Sequence, residues 1–416
     1  MGNRDDRGLW FVDPRRLADM DEWHRQVEII RREEPVLEVE VDGFEKFWAV
    51  TRHEDVFAIE RDSRHWLNTS RVVLGPDAHH ERMVARGMEP RSLVHLDGNV
   101  HNDVRHVVND WFKPAAVKRR QPRIEQIADV FVERMRDLGG TCDFARDIAV
   151  PYTLRVIMDI YGVPEEDERL MLELTQGVFG AADPEFATSN DAGDQVLESV
   201  LKFVNYFNEM TIDRRACPAD DLATVIANGQ IDGCPMGDLE QLWLYIIVAT
   251  AGHDTTSYGL AGGMEALITH PDELAKLRDD PELIGNATEE IIRWTSPVRH
   301  FMRYATDDTE VRGVKIAAGQ RVYLSYPSAN RDEDAFRDPM SFDIARPDTT
   351  NLLSFGVGAH FCLGAQFARR EIRTMIGKLT DQLAHVDLAG PPRWSEGGLV
   401  SGVKHLPITY SWRPGR

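Results

Sequence analysis

Cysteine is scarce in this sequence. Its four copies, Cys142, Cys217, Cys234 and Cys362, lie far apart with no CxxC pair. That excludes a disulfide framework and the spacing of an iron–sulfur cluster, and fits a reducing compartment such as the cytoplasm. Positive charge is also short: 48 Lys and Arg stand against 69 Asp and Glu, a formal net charge of −21. Such a balance favours solubility and argues against nucleic acid as a partner. Long apolar runs are missing. The longest, Leu242 to Gly252, falls short of the roughly 20 residues that cross a bilayer. The charged opening MGNRDDRGLWFVDPRRLADM lacks the apolar stretch of a signal peptide, so neither export nor a membrane span is expected.

What is present is ordinary for a globular chain: 42% hydrophobic and 28% charged residues. The length of 416 residues would accommodate several domains, but no repeat, low-complexity block or linker divides it, so one large domain over 1–416 is expected. Alternation in VLEVEVDGFEKFWAVT on both sides of Asp42-Gly43 predicts a hairpin and the start of a small sheet. From about Glu54 to Pro271 the pattern is mainly helical, with apolar spacing through Ile124, Ile127, Val130, Phe131 and Met135. His65 to Gly98 and Gly177 to Gln195 are rich in Gly, Pro, Asp, Asn or Ser and read as functional loops bordering a ligand. Beyond Arg303 a second hairpin region is expected. FARREIRTMIGKLTDQL reads as a helix leading to short C-terminal strands. The fold class is mainly α with small β-sheets.

One segment stands out. Phe355-Gly356-Val357-Gly358-Ala359-His360-Phe361-Cys362-Leu363-Gly364 packs three glycines, a histidine and a cysteine just before a predicted helix. Glycines permit positive φ and close approach, while a cysteine at a helix start has free amides and the helix dipole to stabilise its thiolate. The other three cysteines read as inert small hydrophobes. The string FGVGAHFCLGAQFA resembles, position for position, the haem-binding loop of the cytochrome P450 family. That resemblance extends over almost the whole chain, from the first hairpin to GLVSGVKHLPITY. It implies the single-domain P450 fold and haem (heme b, iron protoporphyrin IX) with an axial thiolate from Cys362. The residues Phe355, His360 and Gly364 would be part of the cofactor site.

Three distant segments can be read beside it. In Ile247-Val248-Ala249-Thr250-Ala251-Gly252-His253-Asp254-Thr255-Thr256, apolar residues give way in mid-helix to Gly, Asp and Thr. A central Gly costs about 1 kcal/mol relative to Ala, and Thr hydroxyls can bond carbonyls one turn back and bend a helix. The stretch is similar to the family's oxygen-activation motif, which implies that Asp254 and Thr255 deliver protons. Glu290 and Arg293 lie three apart on one helix face, by themselves an ordinary exposed pair. By resemblance they are the family's core Glu-Arg pair, with Arg346 completing the network, although Ile344 stands where the family usually has Pro. His101 and Arg105 share a helix face. With Arg303, at the start of a strand pattern, and His360 they match the family's propionate-binding set, for which the Arg fork suits a carboxylate.

The resemblance implies a monooxygenase that uses O2 and two electrons to hydroxylate a C–H bond. The length leaves no room for a flavin or iron–sulfur domain, so electrons would come from a [2Fe-2S] ferredoxin and its NAD(P)H reductase. Arg369, Arg370, Arg119 and Arg120 are candidates for the docking patch. Family-matched pocket positions are Ile247, Thr250, Ala251, Val298, Phe301, Leu399 and Val400. They are mostly apolar and point to a small hydrophobic substrate. LTQGVFG, DRRACPADD, ATAGHDTTS and YPSANRDEDAF look like the bacterial terpineol-oxidising subgroup, which narrows the substrate to a monoterpenoid or an alkylbenzene. Two alternatives share the fold: a peroxide-driven peroxygenase, which has no need of the Asp-Thr relay, and a non-catalytic haem sensor.

Overall fold

The computed structural model describes residues 4–68, 71–87, 89–180, 183–187, 189 and 192–415. The expected hairpin is there: Val36–Val39 pairs antiparallel with Phe47–Val50, and Gly43 in the turn has φ +84°, which only glycine adopts without strain. The hairpin is one side of a five-stranded sheet. Arg321–Ser325 runs parallel to its second strand, followed by His300–Ala305 and, at the far edge, Trp66–Leu67. Arg303 therefore lies in mid-strand, not at a strand start. The hairpin beyond it is formed by Thr309–Val311 and Val314–Ile316. A second sheet ties Leu383–Leu388 and Pro407–Trp412 to Thr141–Asp143.

Helices form the rest of the body. In Pro114–Asp137, Ile124, Ile127, Phe131 and Met135 are buried as expected, whereas Val130 is 64% exposed. The first four follow the 3.6-residue stripe and Val130 falls off it. The long apolar helix is two helices, Asp238–Ala251 and Asp254–Thr269, broken at Gly252-His253. The second packs against Ile284–Thr295 at unusually short range. A Cβ on Gly263 would stand 2.6 Å from Ile291, and one on Gly262 2.7 Å from Thr295, so both positions need glycine for the helices to meet.

The two stretches read as loops contain more structure than their composition suggests. Trp66–Leu67, the helix Asp77–Ala85 and a turn at Leu93–His95 lie within 65–98. In 177–195, one helix runs on to Phe179 and the next starts at Ala192. The first of these two keeps an apolar stripe through Met171 and Leu174, both buried, and tertiary packing overrides the local breakers. Among the described residues no helix is long and apolar enough to cross a membrane.

Candidate functional site

The cysteine loop is shaped by its glycines. Gly356 and Gly358 have φ +63° and +75°, turning the chain back so that the Cys362 amide donates to the Phe355 carbonyl at 2.8 Å. The helix Ala365–Gln382 begins three residues later. Burial pushes the Cys362 thiol up, opposed by the amides of Gly364 and Ala365 and by the positive charges of Arg105 and Arg369. The helix start thus helps the thiolate but does not outweigh desolvation; a coordinated metal ion reverses that balance outright. The residue nevertheless keeps open surface.

Basic side chains converge beside it. Arg105 Nη2 donates to the Phe361 carbonyl at 2.7 Å. The rings of His101 and His360 lie 4.3 Å apart. His101 is 2% exposed, and its Nε2 is buried with no partner among the described residues. Its ring is held neutral, with a pKa lowered to about 4 by burial and then by His360. His360 lies between Asn68, 3.4 Å from its Nδ1, and Asp97, 3.5 Å from its Nε2. Arg303 is 3% exposed. A buried, orphaned imidazole nitrogen beside the half-buried Arg105 and His360 is what a carboxylate-bearing group would complete, because buried polar atoms normally have partners. The residues present therefore fit haem and its two propionates.

Around the helix break one face is left partly open. Ile247, Ala251, Thr255 and Tyr258 are half-buried, at helical spacing among buried neighbours. The break has two causes. Thr255 Oγ1 takes the Ala251 carbonyl at 2.8 Å, and Gly252 packs so tightly that a Cβ would stand 2.9 Å from Ile157. Thr250 is off this face, 1% exposed, with its hydroxyl bonded to the Ile246 carbonyl at 2.7 Å. His253 is buried, with Nδ1 2.9 Å from an Asp254 carboxylate oxygen. Asp254 also borders a cavity of about 40 Å³ shared with Gln176, Asp183, Ser257, Tyr258 and Lys404, room for roughly three waters at ~10–15 Å³ each. The stretch 177–195 thus reaches this side through Asp183, whose ion pair with Lys404 at 2.7 Å is buried.

The Glu290–Arg293 pair is fully buried, both side chains at 0% exposure. Arg293 donates to the two carboxylate oxygens at 2.7 and 2.8 Å, and to the carbonyls of Asn330, Pro339 and Ser341. Arg346 Nε stands 2.7 Å from Glu290, so the network is complete without the usual proline. Ile344 uses the amide a proline would lack, donating to Glu273 at 3.1 Å. From here the support passes to the cysteine loop. Asn330 accepts from the Leu353 amide and donates to Ser354, whose hydroxyl bonds the Ile292 carbonyl.

Of the pocket positions, Val298 and Val400 form an antiparallel bridge, Leu399 accepts from the Arg299 amide at 2.8 Å, and Phe301 packs edge-on to Tyr326. They form one wall. Of the four arginines on the cysteine side, Arg369 is committed to Glu289 by two bonds of 2.6 and 2.8 Å. Arg120 stacks 3.5 Å over Trp111. Of the other two, Arg119 is exposed and Arg370 half-buried. Sequence reasoning missed Glu60, Asn68, Asp97, Asn330 and Lys404. Each is a polar residue in an unremarkable helix, loop or strand context with no local signal of its partners.

Comparison with known proteins follows the same lines. The cytochrome P450 family profile matches residues 76–385. Cytochrome P450-terp of a Pseudomonas species is 38% identical over 96% of this chain and 96% of its own. A steroid C26-monooxygenase of Rhodococcus jostii is 32% identical over 98% and 86%. Among solved structures, a cytochrome P450 of Novosphingobium aromaticivorans superposes with a TM-score of 0.91 at 38% identity, covering 98% of this chain and 99% of that one. A Mycobacterium marinum cytochrome P450 in complex with pseudoionone gives 0.88 at 30% identity and 97% coverage of both.

Proposed function

Since the chain belongs to the cytochrome P450 family, whose members bind haem through a cysteine thiolate, we propose that Cys362 is that ligand in a ferredoxin-driven hydroxylase of a small terpenoid. The observation that carries the reading is Cys362 itself, exposed at the start of a helix in a loop turned by Gly356 and Gly358, with the Arg105 guanidinium bonded to the neighbouring Phe361 carbonyl. Haem, when bound, supplies O2 binding and the two-electron chemistry that places one oxygen atom in the substrate.

The protein's own groups do the rest. Cys362 gives its thiolate, with the Gly364 and Ala365 amides and Arg105 favouring the charged form. His101, Arg105, Arg303 and His360 would hold the propionates, and Phe355 and Gly364 would shape the loop that receives the cofactor. Thr255 Oγ1, donating to Ala251, keeps its lone pairs free on the open face to accept a hydrogen bond there. Asp254 moves protons to it from water in the adjoining cavity, a general acid–base role. Glu290, Arg293 and Arg346 keep the chain before the cysteine loop in place.

Ile247, Ala251, Val298, Phe301, Leu399 and Val400, with Thr250 behind them, form a mostly apolar surface suited to a monoterpenoid or alkylbenzene. The likeness to cytochrome P450-terp and to the structure containing pseudoionone supports the terpenoid. Arg119 and Arg370 offer the acidic ferredoxin its contacts, and the four free thiols suit the cytoplasm. The test is a titration with a terpene and alkylbenzene panel, followed by turnover of the binders with NADH, ferredoxin and reductase or with peroxide alone. Terpene binding and ferredoxin-dependent product are expected. Product from peroxide alone would mean a peroxygenase, and no product from any binder a sensor.

A further inference from the structure

Glu60 ends a short helix, His53–Arg61, that looks in sequence like a solvated charged surface. Its carboxylate is instead buried, 2% exposed at the side chain, against an equally buried Arg303. Oε1 accepts from Arg303 Nη2 at 3.0 Å and from the Tyr326 hydroxyl at 2.5 Å, while Oε2 accepts from the Val357 amide at 2.7 Å. Three donors thus converge on one carboxylate, one of them the backbone of the cysteine loop. Two glycines of that loop are packed onto it. A Cβ on Gly356 would lie 2.7 Å from Glu60 Oε2, and one on Gly358 2.7 Å from the Glu60 carbonyl. Both have positive φ, so the loop is doubly committed to glycine where it crosses Glu60.

We propose that Glu60 is a positioning residue for the cofactor: it aims the Arg303 guanidinium at the haem carboxylates and cancels part of its charge. Arg303 has five N–H donors in a fixed plane. Nη2 is fixed by Glu60 and Nη1 by the Met302 carbonyl at 2.9 Å, which leaves Nε–H and the second hydrogen of each terminal nitrogen as the donors for a propionate. The same carboxylate joins this anchor to the cysteine loop through Val357, so the axial ligand and a propionate anchor are set by one side chain. Because Glu60 lies in a low-dielectric interior, its negative charge is felt at the haem. Deleting it leaves Arg303 uncompensated, which favours the reduced, less positive iron.

The inference rests on Arg303 as a propionate anchor, and the test separates the two. Glu60→Gln keeps the shape and loses the charge; Tyr326→Phe removes one contact and keeps the charge; Arg303→Gln removes the anchor. Haem content, thermal midpoint and reduction potential are measured on each holoprotein. The expected result is a positive shift of potential in Glu60→Gln, an unmoved potential with lower thermal stability in Tyr326→Phe, and a negative shift with weaker haem retention in Arg303→Gln. If folded Glu60→Gln loses haem, Glu60→Asp, which returns the charge, should restore it. An unmoved potential in Glu60→Gln while Arg303→Gln responds overturns the role of Glu60, as does haem loss that Glu60→Asp fails to restore. A silent Arg303→Gln overturns the anchor reading and with it this one.

Discussion

Arg293→Met tests the buried network most severely. In the native protein Arg293 makes two charge-assisted bonds to Glu290 and covers three carbonyls, all in an environment with no exposure of either side chain. Removing one partner of such a pair costs about 3–5 kcal/mol, because the other charge is left buried. The carbonyls of Asn330 and Pro339 lose a donor at about 1 kcal/mol each, while Ser341 keeps Arg346 at 2.9 Å. Glu290 keeps the Asp343 amide at 2.9 Å and Arg346, which limits the loss. With that limit the total falls at the lower end of the sum, about 5 kcal/mol, still comparable to the ~5–15 kcal/mol that holds a typical protein folded. The variant should therefore yield little folded protein and little haem, and any recovered should unfold at much lower urea. Arg293→Lys, which keeps the charge but not the fork, should fall between. A loss below about 2 kcal/mol for Arg293→Met, measured by urea unfolding, would refute the reasoning.

Two further outcomes follow from other parts of the molecule. His300 is buried and held neutral, its pKa pushed down to about 3 by burial, Arg299 and Arg321, while its Nε2 accepts from the Leu74 amide at 2.9 Å. Its folded pKa lies below the unfolded one near 6.5, so this stability is complete above pH 6.5 and is lost as pH falls towards 3. The loss is about 2 kcal/mol at pH 5 from this residue. His300→Gln should flatten the stability profile between pH 7 and 5, and an unchanged slope would count against it. Thr255→Ala should continue to consume NADH while diverting oxygen to hydrogen peroxide, read as product formed per NADH; unaltered coupling would remove Thr255 from proton handling.

What could be read in the sequence was local or carried by a dense motif. Asp42-Gly43 between alternating strands gave its hairpin because turn and strand signals agree, and the run from Phe355 to Gly364 is specific enough to stand alone. The spacing of Glu290 and Arg293 was visible but not their burial, since three residues apart on a helix describes a surface pair equally well. The helix Asp77–Ala85 went unread because DAHHERMVA has too little apolar periodicity, with Met83 its buried residue. Glu60 was invisible for a different reason. Its partners Arg303, Tyr326 and Val357 lie some 240 to 300 residues away, and no local pattern distinguishes a carboxylate aimed at them from one in water.

The claim on which everything depends is thiolate ligation by Cys362. The most direct measurement is the absorption spectrum of the reduced protein under carbon monoxide, for the wild type and Cys362→Ala side by side. The wild type should show the strongly red-shifted Soret band of a thiolate-bound haem, and the variant, while still folded by circular dichroism, should lack it. A wild type without that band, or a shifted band that survives in Cys362→Ala, would contradict the account.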